Sequence, residues 1–209
     1  MDREINNIWI RSWAGCRSSG NTGGNIHALA FLKEAATICG QLDHDLINRM
    51  AARLSLVKKL YIVGLGGSMA NAIHMAADFR KLCNIDAEAF DNISEITARM
   101  NDEGPATIFG TWLEKATPAD ALMVLSVGGG TDHVSPALVY SVKQAKANGC
   151  HVFGIVGPDG GYTAEMGDLV IKVPVENRKH ITPHTEAFQA VVWHCLVSHP
   201  LLQKTRTTW

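Results

Sequence analysis

The stretch LYIVGLGGSMANAIHMAADF, at residues 60–79, decides the fold. Its first four residues are apolar and favour a buried β-strand, and a glycine-rich turn at 64–68 follows them. A segment with apolar residues at helical spacing then begins, and it predicts a helix over 69–82. Strand, glycine turn and helix in this order form the first half of a βαβ unit. The sequence therefore predicts an α/β fold built on a parallel sheet.

The rest of the chain extends this pattern on both sides. The predicted elements are two helices between 27 and 58 separated near Gly40, a strand at 121–127, a glycine turn at 128–131, a helix at 136–148, strands at 152–156 and 169–173, and a last helix over 183–199 with Thr182 as its N-cap and Pro183 at its first position. Strands that alternate with helices indicate a parallel sheet covered by helices on both faces, which is a three-layer arrangement.

Composition excludes several classes of protein. Hydrophobic residues make up 46% of the 209 residues and charged residues 19%, as in an ordinary globular domain. The net charge of -1 gives no basic surface for nucleic acid or for an anionic membrane, so we expect neither as a direct partner. The glycine- and serine-rich start predicts an irregular segment at 1–25, followed by one domain at 26–209.

The five cysteines favour the cytoplasm. They are odd in number, scattered, and never spaced as CxxC, so they indicate neither a disulfide framework nor a zinc knuckle. We also find no apolar run of the roughly 20 residues that a membrane-spanning helix needs, and no basic secretory leader. The sequence therefore predicts a cytoplasmic protein.

The two glycine turns predict a phosphate site. Backbone N–H groups at the start of a helix have no intrahelical partner, and the helix dipole adds positive potential. In an open parallel sheet both turns lie at the carboxyl ends of strands, where ligands bind. Alternatively, these glycines serve only tight turns and close packing. Neither turn has the spacing of a dinucleotide or P-loop motif. The candidate binding residues are Gly66, Gly67, Ser68, Ser126, Gly128, Gly129, Gly130 and Thr131.

The motif at 63–79 resembles the GNGGSAxDAxHxAAEL block of the sedoheptulose 7-phosphate isomerases, which belong to the SIS (sugar isomerase) domain family. The resemblance continues through 126–131 and 156–169, and covers roughly residues 28–198. It implies a flavodoxin-like SIS fold, a phosphorylated sugar as substrate, a role in carbohydrate metabolism, a homotetramer and a bound zinc.

The resemblance also implies site residues. The family's glutamate base matches Asp78. Its histidine acid matches His194 if Glu186 is set against the family's glutamine. A register shifted by one residue would instead match Trp193 and remove the acid. The implied metal set is His74, Asp78, Glu186 and His194.

Isomerisation through an enediol requires a base on one carbon and an acid near the oxygens, which a carboxylate and an imidazole supply. His74 and Asp78 are four residues apart and therefore share a helix face. These residues also have a purely structural interpretation. His74 and Asp78 would form a hydrogen-bonded pair on the surface, and His194 would be a hydrogen-bonded histidine in the core. Glu186 and His194 lie about 12 Å apart along a straight helix, which is far for one shared metal ion.

Three departures from the family bear on the substrate. Leu65 replaces an asparagine, Gly128 replaces a serine, and Asp78 is one methylene shorter than the family's glutamate. The alternative function is therefore a non-catalytic SIS module: a sugar-phosphate sensor or a tetrameric adaptor. Because His74, Asp78 and His194 are present, we favour the aldose-ketose isomerase.

Overall fold

Five short strands form a single parallel sheet in the computed structural model, which describes residues 22–206, with side chains from residue 26 onward. The strands are β1 (Lys59–Gly64), β2 (Asp86–Ala89), β3 (Ala121–Ser126), β4 (His151–Val156) and β5 (Leu169–Lys172). They lie in the order β2-β1-β3-β4-β5, and each neighbouring pair is parallel. This is the order of flavodoxin-like sheets.

The helices connect these strands in a regular alternation. They are α1 (Thr22–Gln41), α2 (His44–Leu54), α3 (Gly67–Cys83), α4 (Ile93–Asp102), α5 (Gly110–Leu113), α6 (Pro136–Ala147), α7 (Gly161–Met166) and α8 (Ile181–Val197), with one 3₁₀ turn at Arg178–His180 before α8. The described residues divide into two units between Ala36 and Thr37, and this division falls within α1. The sheet and helices α2 to α8 belong to the second unit.

The sheet of the second unit is buried on both faces. Helices α2, α3 and α8 pack together on one face, and α5, α6 and α7 on the other. Every residue of β3 is buried, as expected for the central strand of a sheet with two covered faces. Tyr61, Val63, Leu122 and Val124 alternate along their strands and share one hydrophobic cluster with α6. The three-layer α/β prediction is therefore confirmed.

The structure differs from the sequence prediction at its edges. Strand β2 was not predicted: its four residues DAEA have little β propensity, and it forms only because β1 offers a free edge for pairing. Helix α8 begins at Ile181, and the N-cap position belongs to His180, so the assignment of Thr182 as N-cap was wrong. Pro183 then lies in the first turn, where its missing N–H costs no hydrogen bond.

Helix α1 also begins earlier than expected, at Thr22, four residues before the predicted domain start at residue 26. It runs through Gly40 and ends at Gln41, so the predicted break near Gly40 lies two residues later, between α1 and α2. The remainder of the segment predicted to be irregular, 1–21, lies outside the described residues.

Four of the five cysteines lie in the described part of the chain, and all four are free. Burial raises the pKa of the Cys83 and Cys150 thiols to about 11, so both stay protonated near neutral pH. Within residues 22–206, no helix combines the length and the apolar character that crossing a bilayer requires.

Candidate active site

The two glycine loops meet at the point where the strand order reverses. Strands β1 and β3 are neighbours, but their connections leave in opposite directions along the sheet, which opens a crevice at their carboxyl ends. A cavity of about 390 Å³ lies there. Half of its lining residues are polar, namely Ser68, Ser126, Thr131, Ser135 and Glu186, and the others are Leu65, Val127, Gly128, Gly130 and Val134. The loops after β1 and β3 therefore face each other across one cavity, as a shared ligand requires.

The first loop opens directly into α3. Gly66, at the N-cap, has φ of 60° and ψ of -128°, a conformation that side-chain-bearing residues rarely adopt, and no side chain caps the helix. Ser68 is buried in the first turn, and its hydroxyl accepts a hydrogen bond from Gln189 Nε2 at 3.1 Å. Gln189 Oε1 in turn accepts from Asn71 Nδ2 at 2.8 Å. This network fixes the Ser68 hydroxyl and leaves its proton free to donate into the cavity.

The second loop is held by backbone contacts. Ser126 Oγ accepts a hydrogen bond from the Gly129 N–H at 3.0 Å, which closes the loop on itself. The Gly129 carbonyl accepts from both the backbone N–H and the hydroxyl of Thr163. A side chain at Gly129 would lie 1.8 Å from the Gly160 carbonyl oxygen, so only glycine fits. Gly129 therefore serves close packing, while its neighbours Gly128 and Gly130 line the cavity.

A second helix also begins at the cavity. Ser135 is the N-cap of α6, and its side chain makes no capping hydrogen bond. It adopts a left-handed conformation, with φ of 60° and ψ of 49°, which is costly for a residue other than glycine. The cavity thus meets the N-terminal ends of both α3 and α6, and neither end is capped by a side chain. Two such ends provide positive potential and free donors for an anion.

Glu186 is the only charged side chain that lines this cavity among the described residues. It lies in the second turn of α8, and its backbone carbonyl accepts a hydrogen bond from Asn71 Nδ2 at 2.9 Å. Its carboxylate lies against the start of α3: a methyl group on Gly67 would be 2.6 Å from both carboxylate oxygens. Gly67 is not among the residues that line the cavity. Because it has no side chain, the Glu186 carboxylate can approach the start of α3.

A second group of polar residues lies farther along the same two helices. His74 and His194 point their Nε2 atoms at one oxygen of Asp78, at 3.5 and 3.6 Å from Oδ2. Trp193 donates its indole N–H to the same oxygen at 3.0 Å. Both imidazoles are more than half exposed, while the Asp78 side chain is only 17% exposed. The Asp78 carboxylate is therefore held in place by the buried Trp193 and flanked by two solvent-accessible histidines.

The tautomer of His194 follows from its surroundings. Its Nδ1 lies 2.8 Å from the Ala190 carbonyl oxygen, which can only accept, so Nδ1 carries a proton. The other nitrogen, Nε2, faces Asp78 and is left to exchange a proton or to bind a metal. An outer hydrogen bond from the second ring nitrogen to a backbone carbonyl is the usual way in which a metal-binding histidine is oriented.

His74, Asp78 and His194 could hold a metal ion, because one ligand atom from each lies within 4.8 Å of the others. The two nitrogen-to-oxygen distances near 3.5 Å are long for hydrogen bonds. They match the roughly 3.4 Å that separates ligand atoms around a tetrahedral zinc at 2.0–2.1 Å. Glu186, the fourth residue of the predicted metal set, is not part of this group and lies at the cavity, two helical turns from His194.

The cavity and the histidine group are linked by one stripe of α3. Ser68, Asn71, His74 and Asp78 recur three to four residues apart, so they follow one face of the helix toward α8. His74 lies about 9 Å beyond Ser68 along the axis. Five of the eight predicted binding residues line the cavity, namely Ser68, Ser126, Gly128, Gly130 and Thr131, while Gly66, Gly67 and Gly129 shape the backbone around it.

Three functional candidates were missed from the sequence. Asn71 and Gln189 form the network behind Ser68, and Trp193 contacts Asp78. Gln189 and Trp193 follow Glu186 at positions i+3 and i+7 of α8, so they share its face, and this spacing could have identified them.

No family model matches the chain. Among proteins with curated names, the phosphoheptose isomerase of Trichlorobacter lovleyi is 30% identical over 177 residues, which cover 81% of this chain and 86% of that protein. The chain belongs to the phosphoheptose isomerase family. This confirms the resemblance seen in the motif at 63–79 and the assignment of the protein as a sugar-phosphate isomerase, and it does not favour a non-catalytic module.

Two further similarities fit this assignment to the phosphoheptose isomerase family. The lincomycin biosynthesis protein LmbN of Streptomyces lincolnensis is 33% identical over 150 residues, which are 65% of this chain and 54% of that protein, so the chain spans about half of LmbN. The solved structure of phosphoheptose isomerase GmhA from Neisseria gonorrhoeae matches with a TM-score of 0.70 at 23% identity, over 83% of this chain and 97% of that one. This match shows that the two proteins share the SIS fold.

Proposed function

We propose that this protein interconverts sedoheptulose 7-phosphate and glycero-manno-heptose 7-phosphate by proton transfer through an enediol. One observation carries the proposal: a cavity formed by two uncapped helix N-termini lies on the same stripe of α3 as a carboxylate flanked by imidazoles. The first feature suits a phosphoryl group, and the second suits acid-base chemistry at the far end of a sugar.

The proposed roles follow from position. Asp78 removes the proton from C1 of the ketose while His194 donates a proton to the carbonyl oxygen at C2, which forms the enediol. Return of the proton to C2 and loss of the proton on the C1 oxygen give the aldose. His194 exchanges its proton at Nε2, because Nδ1 is engaged with the Ala190 carbonyl. The hydroxyls of Ser68 and Ser126 and the free N–H groups of the loops hold the phosphate.

We also propose that His74, Asp78 and His194 bind zinc, and that the protein is a cytoplasmic homotetramer. The donor set and its spacing support the metal. When bound, zinc would occupy Nε2 of His194 and polarise the sugar carbonyl in place of the proton that this nitrogen donates in the metal-free protein. Whether Glu186 joins this set stays a prediction. The tetramer rests on the resemblance to the family, and the cytoplasmic location on the odd number and scattered positions of the cysteines.

The test is direct incubation with sedoheptulose 7-phosphate, with and without added zinc, while formation of the aldoheptose phosphate is followed. Asp78→Asn and His194→Ala should each abolish turnover and leave the oligomer, measured by size-exclusion chromatography, unchanged. Near-wild-type turnover in either variant would overturn the role assigned to that residue. No conversion by the wild-type protein in either condition would overturn the substrate.

A further inference from the structure

The cavity has an unexpected charge for a phosphate site. Its lining includes no lysine or arginine among the described residues, and its one charged side chain, Glu186, is negative. A phosphate group is then held by neutral donors: backbone N–H groups and the hydroxyls of residues such as Ser68 and Ser126. The carboxylate instead raises the free energy of any anionic group that comes near it.

The position of Glu186 is fixed by the fold. Its backbone is tied to α3 through Asn71, and its carboxylate reaches the helix start only because residue 67 is glycine. The carboxylate makes no ion pair with any residue that the structure describes. The positive end of α3 amounts to about half an elementary charge, so the carboxylate keeps a net negative charge. It therefore acts on whatever occupies the cavity.

The carboxylate and the second loop approach the cavity from different elements. Glu186 belongs to α8 and contacts the start of α3, whereas Ser126, Gly128, Gly130 and Thr131 belong to the loop after β3. A ligand with one phosphate can place it on the loop and turn its hydroxyl groups toward Glu186, since a carboxylate accepts hydrogen bonds from hydroxyls. A second anionic group brings further negative charge into the cavity, where the carboxylate repels it.

We infer that Glu186 is a specificity-determining residue: it admits sugars that carry a single phosphate and rejects those with a second anionic group. This inference rests on the proposed function, because it assumes that the cavity receives a phosphorylated sugar. The mechanism is electrostatic exclusion of the wrong ligand rather than added affinity for the right one.

The test compares two ligands that differ by one phosphate, fructose 6-phosphate and fructose 1,6-bisphosphate, by calorimetric titration of the full-length protein. The wild-type protein should bind the monophosphate more tightly. Glu186→Gln keeps the size of the side chain and removes its charge, and should reduce the preference for the monophosphate on the order of tenfold, as expected for two like charges about 10 Å apart near a protein surface.

Two comparisons isolate the charge of Glu186. Glu114→Gln removes one exposed carboxylate outside the cavity and should leave the preference unchanged. Ser126→Ala should weaken both ligands to a similar extent, because it acts on the phosphate that they share. High ionic strength should reduce the preference in the wild-type protein, which tests the inference even if Glu186→Gln fails to fold.

The inference is wrong if Glu186→Gln, shown to be folded by its thermal unfolding, keeps the wild-type preference, or if the wild-type protein binds the bisphosphate as tightly as the monophosphate. Absence of binding by either ligand would also overturn it, because the cavity would then not receive such sugars. These titrations need no turnover. Loss of isomerase activity with an intact preference would therefore contradict only the proposed function.

Discussion

Asp78 is contacted by two consecutive residues of α8. Trp193 donates its indole N–H to Oδ2, and His194 directs Nε2 to the same oxygen. The sequence left open which of the two corresponds to the family's histidine. Both reach Asp78, but in different surroundings: Trp193 is buried and orients the carboxylate, while His194 is exposed, as the acid proposed above must be.

Trp193→Phe tests this orienting role. The variant removes one hydrogen bond to a charged group, an interaction of about 1.5–3 kcal/mol, and keeps an aromatic ring in the core. We expect kcat to fall about tenfold with little change in KM, because the carboxylate is misplaced while the phosphate loops are intact. Steady-state kinetics with sedoheptulose 7-phosphate measure both values.

Trp112→Phe is the matched control, because Trp112 packs edge-on against Tyr61 in the core on the other face of the sheet. It should lower stability without lowering kcat. An equal loss of kcat in both variants would show that Trp193 acts only through packing.

Single residues of the cavity were predictable to different degrees. Ser68, Ser126 and Thr131 could be identified because glycines mark their loops and the strand pattern places both loops at one sheet edge. Asn71 and Gln189 lie on the same helix faces as Ser68 and Glu186, so their spacing marks them as candidates, but only tertiary contact shows that the two side chains bond to each other.

At the scale of whole elements, strands with apolar runs were predictable and short polar ones were not. Strands β1, β3, β4 and β5 each combine an apolar run with a following turn. Strand β2 lacks such a run and depends on pairing with β1. Helix α4 was also missed, although Asn92 at its N-cap and Glu95 three residues later are a recognisable start signal.

Asp168 joins two elements at the other end of the sheet. Its carboxylate accepts hydrogen bonds from Lys146 on α6 and from the backbone N–H of Val152 in β4. Burial alone would raise the pKa of Asp168, but these hydrogen bonds and the nearby charge of Lys146 outweigh it and hold the pKa below its usual value. The ionised form therefore stabilises the folded state.

The sign of the pH dependence follows. With the folded pKa below the unfolded one, near 3.9, the stabilisation is present above the unfolded pKa and is lost as pH falls through the folded pKa. Asp168→Asn should lower the free energy of unfolding at neutral pH by no more than about 1 kcal/mol, because solvent screens a partly exposed pair. Urea unfolding of both proteins should show this difference shrinking below about pH 4. A difference that grows in acid would contradict it.

At the scale of the molecule, β3 is the centre of the sheet, paired on both sides and covered on both faces. Leu122 is fully buried there and packs in the cluster that joins the sheet to α6. Leu122→Ala should cost about 2–5 kcal/mol of unfolding free energy, because the rigid surroundings leave a cavity.

Leu56→Ala is the comparison for this prediction. Leu56 is 76% exposed, so its truncation should change stability by less than about 0.5 kcal/mol. Chemical denaturation of both variants gives the two values. A loss at Leu122 no larger than that at Leu56 would mean that the sheet centre relaxes around the missing side chain.

The backbone segments after β3 and β4 are bonded to each other. The carbonyls of Gly130 and Gly129 accept hydrogen bonds from the N–H groups of Tyr162 and Thr163 at the start of α7. Gly129 also lies so close to the Gly160 carbonyl that it has no room for a side chain. Residues 157–161 do not line the cavity, yet their contacts fix the backbone conformation of its second loop. Substitutions in that stretch will therefore alter ligand recognition without contacting the ligand. Engineered replacements of the loop after β4 should likewise change substrate preference.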